Sequence, residues 1–210
     1  MPGLFVTFEG GEGSGKSTQI ARLAARLRAL GLDPLVTREP GGTPVGEGIR
    51  ALLLDHERRP TQLTEALLMV AARAQLVATV IRPALDAGRI VLCDRYTDST
   101  LAYQGGGRGL DAAMLAGWNA SATGHLVPTV TLLFDVPISV GLERRHAAPG
   151  ATNRLDREPP DFHERVRERY LELAAADPAR WSRLDATVST DELEARVWEV
   201  IGPRLAGVRG

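Results

Sequence analysis

One octapeptide constrains this chain more than any other feature. Gly10-Gly11-Glu12-Gly13-Ser14-Gly15-Lys16-Ser17 fits the phosphate-binding loop pattern G-x-x-x-x-G-K-[ST], which needs a β-strand before it and a helix opening directly after it. Both are present. Leu4-Phe5-Val6-Thr7-Phe8 is a short apolar run of β type, and Ile20, Leu23, Ala24, Leu27 and Leu30 follow helical spacing. The glycines let the backbone wrap a polyphosphate with its N–H groups turned inward. The helix start adds the positive end of its dipole. Lys16 is the only lysine among 25 Lys and Arg residues. It stands where a compact ammonium reaches between phosphates, a task a planar guanidinium performs differently. Nucleoside triphosphate binding is therefore expected at Gly10, Gly11, Glu12, Gly13, Ser14, Gly15, Lys16, Ser17 and Thr18, with the Ser17 hydroxyl on Mg²⁺.

Length and charge narrow the rest. A chain of 210 residues with 44% hydrophobic content predicts one domain, 1–210, with a sizeable core. A net charge of −1 argues against bulk binding to nucleic acid. The single Cys93 excludes an intrachain disulfide framework and reads as a buried thiol in a strand. No uninterrupted apolar run approaches the roughly 20 residues of a membrane span, and the first strand begins too early for a leader peptide. These features predict a cytoplasmic protein with no membrane partner.

Strand and helix signals alternate along the chain, which predicts an α/β fold of three layers: roughly five parallel strands with helices on both faces. Leu35–Thr37, Ile90–Cys93, Val130–Phe134 and Trp181–Asp185 read as strands. Residues 49–54, 61–82, 137–145, 161–176 and 192–205 read as helices. Arg38-Glu39-Pro40-Gly41-Gly42-Thr43-Pro44 reads as a loop, and 146–160 as a short mobile lid. In such sheets ligands collect beyond the carboxyl ends of the strands. That edge gathers Glu9 to Ser17, Arg38-Glu39, Asp94-Arg95-Tyr96 and Asp135. A guanine-reading N-K-x-D element is impossible with the one lysine already used. A small domain with a charged loop suggests phosphoryl transfer to a small acceptor.

Several ordered blocks then resemble thymidylate kinases: Arg38-Glu39-Pro40-Gly41-Gly42, Ala71-Ala72-Arg73, Asp94-Arg95-Tyr96, and Ser99 with Ala102-Tyr103-Gln104-Gly105-Gly106-Gly107-Arg108-Gly109. Leu133-Phe134-Asp135-Val136 and Arg169-Tyr170-Leu171-Glu172-Leu173-Ala174-Ala175 are similar to later segments of that family. The resemblance implies transfer of the γ-phosphoryl of ATP to dTMP, with Mg²⁺ held by Ser17 and Asp94. It implies that Lys16 and Arg95 are catalytic and that Arg38 and Arg95 meet the acceptor phosphate, with Glu39 orienting Arg38. It places Arg73, Ser99, Thr100 and Gln104 at the base, Tyr103 under the deoxyribose and Glu12 near the 3′-hydroxyl. It also implies a homodimer, and the apolar positions Leu67, Leu68, Val70, Val77 and Val80 of the long helix fit either burial inside the domain or a helix–helix contact between two copies.

Two departures from the family pattern stand out. Met69 occupies the place of an aromatic ring that stacks on the base, and the segment between Arg157 and Asp161 is shorter than usual. Because the middle of the phosphate loop is Gly13 and not a basic residue, the resemblance moves that cation to the lid. Arg144, Arg145, Arg154 and Arg157 are available, and Arg154 and Arg157 are the expected pair. Another nucleotide or nucleoside kinase is the nearest rival, and a nucleotide-gated regulatory module is the rival of a different class.

Overall fold

A computed structural model describes residues 3–55, 57–147 and 154–207. Five parallel strands form one sheet in the order β2-β3-β1-β4-β5: β1 (Phe5–Glu9), β2 (Leu35–Arg38), β3 (Val91–Asp94), β4 (Val130–Asp135) and β5 (Trp181–Asp185). β1 lies at the centre, in register with β3 (Phe5 beside Val91) and β4 (Val6 beside Val130). A strand covered on both faces reads as a continuous apolar run, and all of β1 is buried.

Alternation along β1 assigns its side chains to opposite faces. Val6 and Phe8 join Leu92, Leu132 and Phe134 against α1 (Lys16–Ala29) and α9 (Thr190–Ile201). Phe5 joins Val91 and Cys93 against Leu76, Val77, Ile81 and Tyr96 on the other face. A third cluster packs Tyr103 and Leu133 against Phe162, Val166 and Tyr170 of α8 (Pro160–Ala176).

Element boundaries depart from the sequence reading where local chemistry extends a helix. α2 begins at Pro44 and ends at Leu54, because Thr43 Oγ1 accepts the Gly46 N–H at 2.9 Å and Pro44 suits a first turn. α3 (Gln62–Leu76) passes through a π turn at Val77–Ile81 into α4 (Arg82–Asp86), so Pro83 is absorbed by a wider turn and does not end the helix. This joined helix, Gln62–Asp86, is long and apolar enough to cross a membrane by length and composition. Here Ala66, Ala72, Leu76, Val77 and Ile81 lie buried within the fold. α9 stops at Ile201, earlier than expected, and a 3₁₀ turn, Gly202–Gly207, follows.

The stretch after β3 carried no helix expectation, yet α5 (Thr97–Thr100) runs into a π segment, Leu101–Gly107, and then α6 (Ala112–Thr123). Its glycines are there for close approach: a Cβ on Gly107 would sit 2.4 Å from the Phe162 ring, and one on Gly106 would strike Arg169. α7 (Ile138–Ala147) ends beside the expected lid. Of that segment, 148–153 lies outside the described residues, and Leu155–Arg157 forms a single 3₁₀ turn.

Candidate active site

The carboxyl edge of the sheet opens into two cavities. The larger, about 830 Å³, is lined by the phosphate loop with Asp94, Arg95, Arg144, Arg145 and Thr187. The smaller, about 100 Å³, is lined by Met69, Arg73, Ser99, Thr100, Tyr103 and Gln104, among others. Glu12, Glu39, Arg50 and Arg95 border both.

The loop has the strained turn its glycines permit: Gly10, Gly13 and Gly15 all have positive φ. A Cβ on Gly13 would lie 1.9 Å from the Gly141 carbonyl oxygen, so the loop packs directly on α7. The Lys16 ammonium donates to Gly10 O at 3.1 Å, Gly11 O at 2.7 Å and Ser14 Oγ at 3.1 Å. Burial and the neighbouring Arg95 lower its pKa to about 8, against the pull of Asp94, Glu12 and Glu9. Ser17 Oγ donates to Asp94 Oδ2 at 3.0 Å, and Asp94 Oδ1 is buried with no hydrogen-bond partner. A hydroxyl beside a carboxylate with a spare buried oxygen is a hard-oxygen set that suits Mg²⁺.

Arg95 sits in the wall between the cavities. Its backbone is left-handed, φ 69°, a conformation that a non-glycine side chain holds only under constraint and that often marks a functional position. Nη1 donates to Gly10 O at 3.0 Å, and Nη2 to Glu12 Oε1 at 2.8 Å. Its guanidinium lies 4.8 Å from the Tyr103 ring centre. Tyr103 Oη also donates to Glu12 Oε1, at 2.8 Å. Burial opposes ionisation of Glu12, but Arg95, Lys16 and this hydroxyl prevail and hold its pKa at about 2.

Around the smaller cavity the expected residues come together, with one correction. Glu39 does not orient Arg38. It pairs with Arg73, whose Nε donates to Glu39 Oε2 at 2.7 Å. Arg38 is held by Glu47 across the mouth at 2.9 Å, and both are about half exposed. Arg73 is buried, and its other donors reach Thr100 Oγ1, Asn119 Oδ1 and Tyr96 O. Ser99 Oγ donates to Glu9 Oε2 at 2.6 Å, and Gln104 Nε2 to Glu65 Oε1 at 2.9 Å. Arg154 is paired with Glu65 and donates to Leu53 O at 3.2 Å, while Arg157 is exposed. Neither lines the larger cavity, whose rim carries Arg144 and Arg145 instead.

A family model described as thymidylate kinase matches residues 8–197. A thymidylate kinase of Thermomicrobium roseum is 57% identical over 94% of this chain and 93% of its own length. One of Deinococcus radiodurans is 52% identical over 96% of this chain and 98% of its own, and one of Solidesulfovibrio magneticus 50% over 96% and 100%. The chain belongs to the thymidylate kinase family.

Two residues at this thymidylate kinase site, Arg50 and Glu65, escaped the sequence reading, and a third, Glu9, was expected at the ligand edge without a role of its own. Arg50 on α2 borders both cavities and donates to Pro40 O at 2.9 Å. Burial and Arg38 push its pKa down. Its signal was weak: one arginine among many, on a segment read as a short helix. Glu9 accepts from Tyr96 N at 2.7 Å, Ser99 Oγ, and Tyr170 Oη at 2.8 Å. Burial and Asp98 raise its pKa to about 7. Its place at the ligand edge was expected from the end of β1, but its partners were not. Glu65, buried in the first turn of α3, looked like an ordinary helix-start carboxylate.

Proposed function

We propose that this chain transfers the γ-phosphoryl group of ATP to dTMP, giving dTDP and ADP, with the larger cavity as donor site and the smaller as base pocket. The family relationship carries the activity. The assignment of the cavities rests on one observation: Arg95 stands in the wall they share, fixed by Gly10 O and Glu12. Phosphoryl transfer is mostly positioning and charge neutralisation. A phosphate oxygen of dTMP attacks the γ-phosphorus as the bond to the β,γ-bridging oxygen breaks. The acceptor is already an anion, so no general base is needed.

In this reading Lys16 leaves its loop carbonyls for the β- and γ-phosphates, and the loop amides from Gly10 to Thr18 cradle the donor. Ser17 and Asp94 hold Mg²⁺, which when bound neutralises phosphate charge. Arg95, with Arg38 and Arg50 nearby, takes the acceptor phosphate. A guanidinium fork matches phosphate geometry. Tyr103, held upright by Glu12, packs under the deoxyribose and leaves no room for a 2′-hydroxyl. Met69 meets the base face through its polarizable sulfur, and Arg73, Ser99, Thr100 and Gln104 border the base edge. Arg144 and Arg145 already stand at the donor rim. A phosphate role for Arg154 or Arg157 needs the Leu155–Arg157 turn to swing toward the donor, breaking the Arg154–Glu65 pair.

We also read the 210-residue chain as one cytoplasmic kinase domain that pairs with a second copy through α3. Leu63 and Leu67 are each 47% exposed on that helix, with exposed Ala71 on the same stripe. ADP production from ATP and Mg²⁺ tests the reading, with dTMP, dUMP, dCMP, dGMP, thymidine or no acceptor. Turnover is expected to be strong with dTMP, weaker with dUMP and slight with thymidine. Turnover of thymidine but not dTMP would overturn the phosphate roles of Arg38 and Arg95.

A further inference from the structure

Behind the base pocket lies a buried cluster of charge centred on Glu65, a residue that phosphoryl transfer as read above gives no role. The Glu65 carboxylate is 2% exposed and receives three side chains. Gln104 Nε2 donates to Oε1 at 2.9 Å, and Arg108 donates to Oε1 at 3.2 Å and Oε2 at 3.3 Å. Arg154 pairs with Oε2. Arg108 also holds Glu158 at 2.7 Å, so Glu65 and Glu158 are balanced by two arginines. Leu155, next to Arg154, lines the base pocket. These contacts tie α3 to both Gln104 and the turn that carries Arg154.

We propose that Glu65 is a specificity-determining positioning residue: it fixes which end of the Gln104 amide faces the base, and Arg154 holds it in place. An ionised carboxylate only accepts hydrogen bonds. It therefore turns the NH₂ end of Gln104 toward itself and leaves the carbonyl end for the pocket. A carbonyl there accepts from a ring imide N–H, which thymine and uracil carry. Cytosine presents a lone pair at that ring nitrogen and meets repulsion. With a neutral partner in place of Glu65 the amide turns over freely, and the pocket loses its distinction between donor and acceptor. The contribution of Arg154 is local: it keeps Glu65 ionised and in position when the turn lies on the pocket. The burial that favours the neutral acid is overcome by Gln104, Arg154 and Arg108, which lower the Glu65 pKa.

This inference rests on dTMP being the acceptor, and its test separates the two. kcat/KM is measured for dTMP and dCMP in the wild type, Glu65→Gln, Gln104→Leu and the double variant. Wild-type turnover of dTMP checks the function itself. Glu65→Gln is then expected to lower kcat/KM for dTMP about 10- to 100-fold with little change for dCMP, so the preference narrows. In the Gln104→Leu background, Glu65→Gln is expected to leave the remaining preference unchanged, because its effect runs through the amide. An equal loss for both nucleotides would reduce Glu65 to a structural role and overturn the proposal, as would an additive double variant. If Glu65→Gln does not fold, Gln104→Leu decides alone. It leaves Glu65 paired with two arginines, and an unaltered preference for dTMP over dCMP would overturn the proposal.

Discussion

The two cavities are built by different means. The donor side is made mostly of backbone: a glycine loop, a helix start and one ammonium held by carbonyl oxygens. The acceptor side is made of side chains from the phosphate loop, α2, α3, and the α5 helix with its π extension, already locked in ion pairs and hydrogen bonds. A backbone site can be specified by a contiguous motif. A side-chain site needs many distant residues to agree, and its stability and its specificity are coupled. The same contrast predicts where substitutions act: at the donor edge on rate, and in the acceptor wall on folding as well.

The largest effect belongs to the residue that joins both sides. Arg95→Ala is expected to lower kcat about 10³-fold or more at saturating ATP and dTMP, a typical loss for an arginine that stabilises a transferring phosphoryl group. A rise confined to the KM for dTMP, with kcat intact, would confine Arg95 to the acceptor side.

Next come the two arginines that flank Glu39. Arg73→Met leaves Glu39 buried without its cation, and losing one partner of a buried pair costs about 3–5 kcal/mol. Arg38→Ala removes only an exposed partner of Glu47, at a cost of under about 1 kcal/mol. Urea unfolding of both variants checks the difference. Equal losses would mean that the acceptor wall is no more committed to folding than its rim.

The pH dependence of stability sharpens the contrast between two carboxylates three positions apart. Glu12 has a pKa of about 2 when folded against 4.5 for an ordinary glutamate. Its contribution is present above pH 4.5 and is lost as pH falls through 2, about 3 kcal/mol in all. Glu9 has the opposite sign, at about 7 when folded. Between pH 4.5 and 7 the native state binds the extra proton, so rising pH removes about 3 kcal/mol, and the curve is flat above 7. The raised value comes from burial and Asp98, against the hydrogen bond from Ser99, the charge of Arg95 and the hydrogen bond from Tyr170. Glu9→Gln is expected to remove the decline between pH 4.5 and 7, and Glu12→Gln the one below 4.5. A Glu9→Gln curve parallel to wild type across that window would sink the assignment.

The donor side was legible in the sequence for the reason just given: strand, glycines, Lys16 and helix are contiguous. The interior strands β1, β3 and β4 were legible as well, because buried parallel strands are apolar runs, and the edge strand Trp181–Asp185 matched to the residue. The acceptor side was legible only through resemblance, since no spacing rule brings Met69, Arg73, Ser99 and Gln104 to one pocket. The failures there share a cause. Glu39 lies next to Arg38 in the chain, but adjacent residues on an extended segment point in opposite directions, so Glu39 turned inward to Arg73. No helix was expected across Gly105-Gly106-Gly107, and it forms a wide helical turn because α8 needs the space. Glu9, Arg50 and Glu65 owe their roles to what tertiary packing puts beside them.

Met69→Phe should have the smallest effect and is the most direct test of acceptor-side tuning. Met69 is half-buried on α3, at the face of the smaller cavity. A thioether contact with a ring is worth about 0.3–1.5 kcal/mol, and an offset aromatic stack falls in nearly the same range, about 0.5–1.5 kcal/mol. The exchange should therefore lower the KM for dTMP only a few-fold, with kcat unchanged. The thymine methyl group adds to any such contact through its area, so the ratio of dTMP to dUMP should shift in the same direction and by less. A cavity of about 100 Å³ leaves little slack, which sets up the opposite outcome. If the added ring raises the KM for both nucleotides equally, the pocket is closed by shape, and methionine stands at position 69 because nothing larger fits.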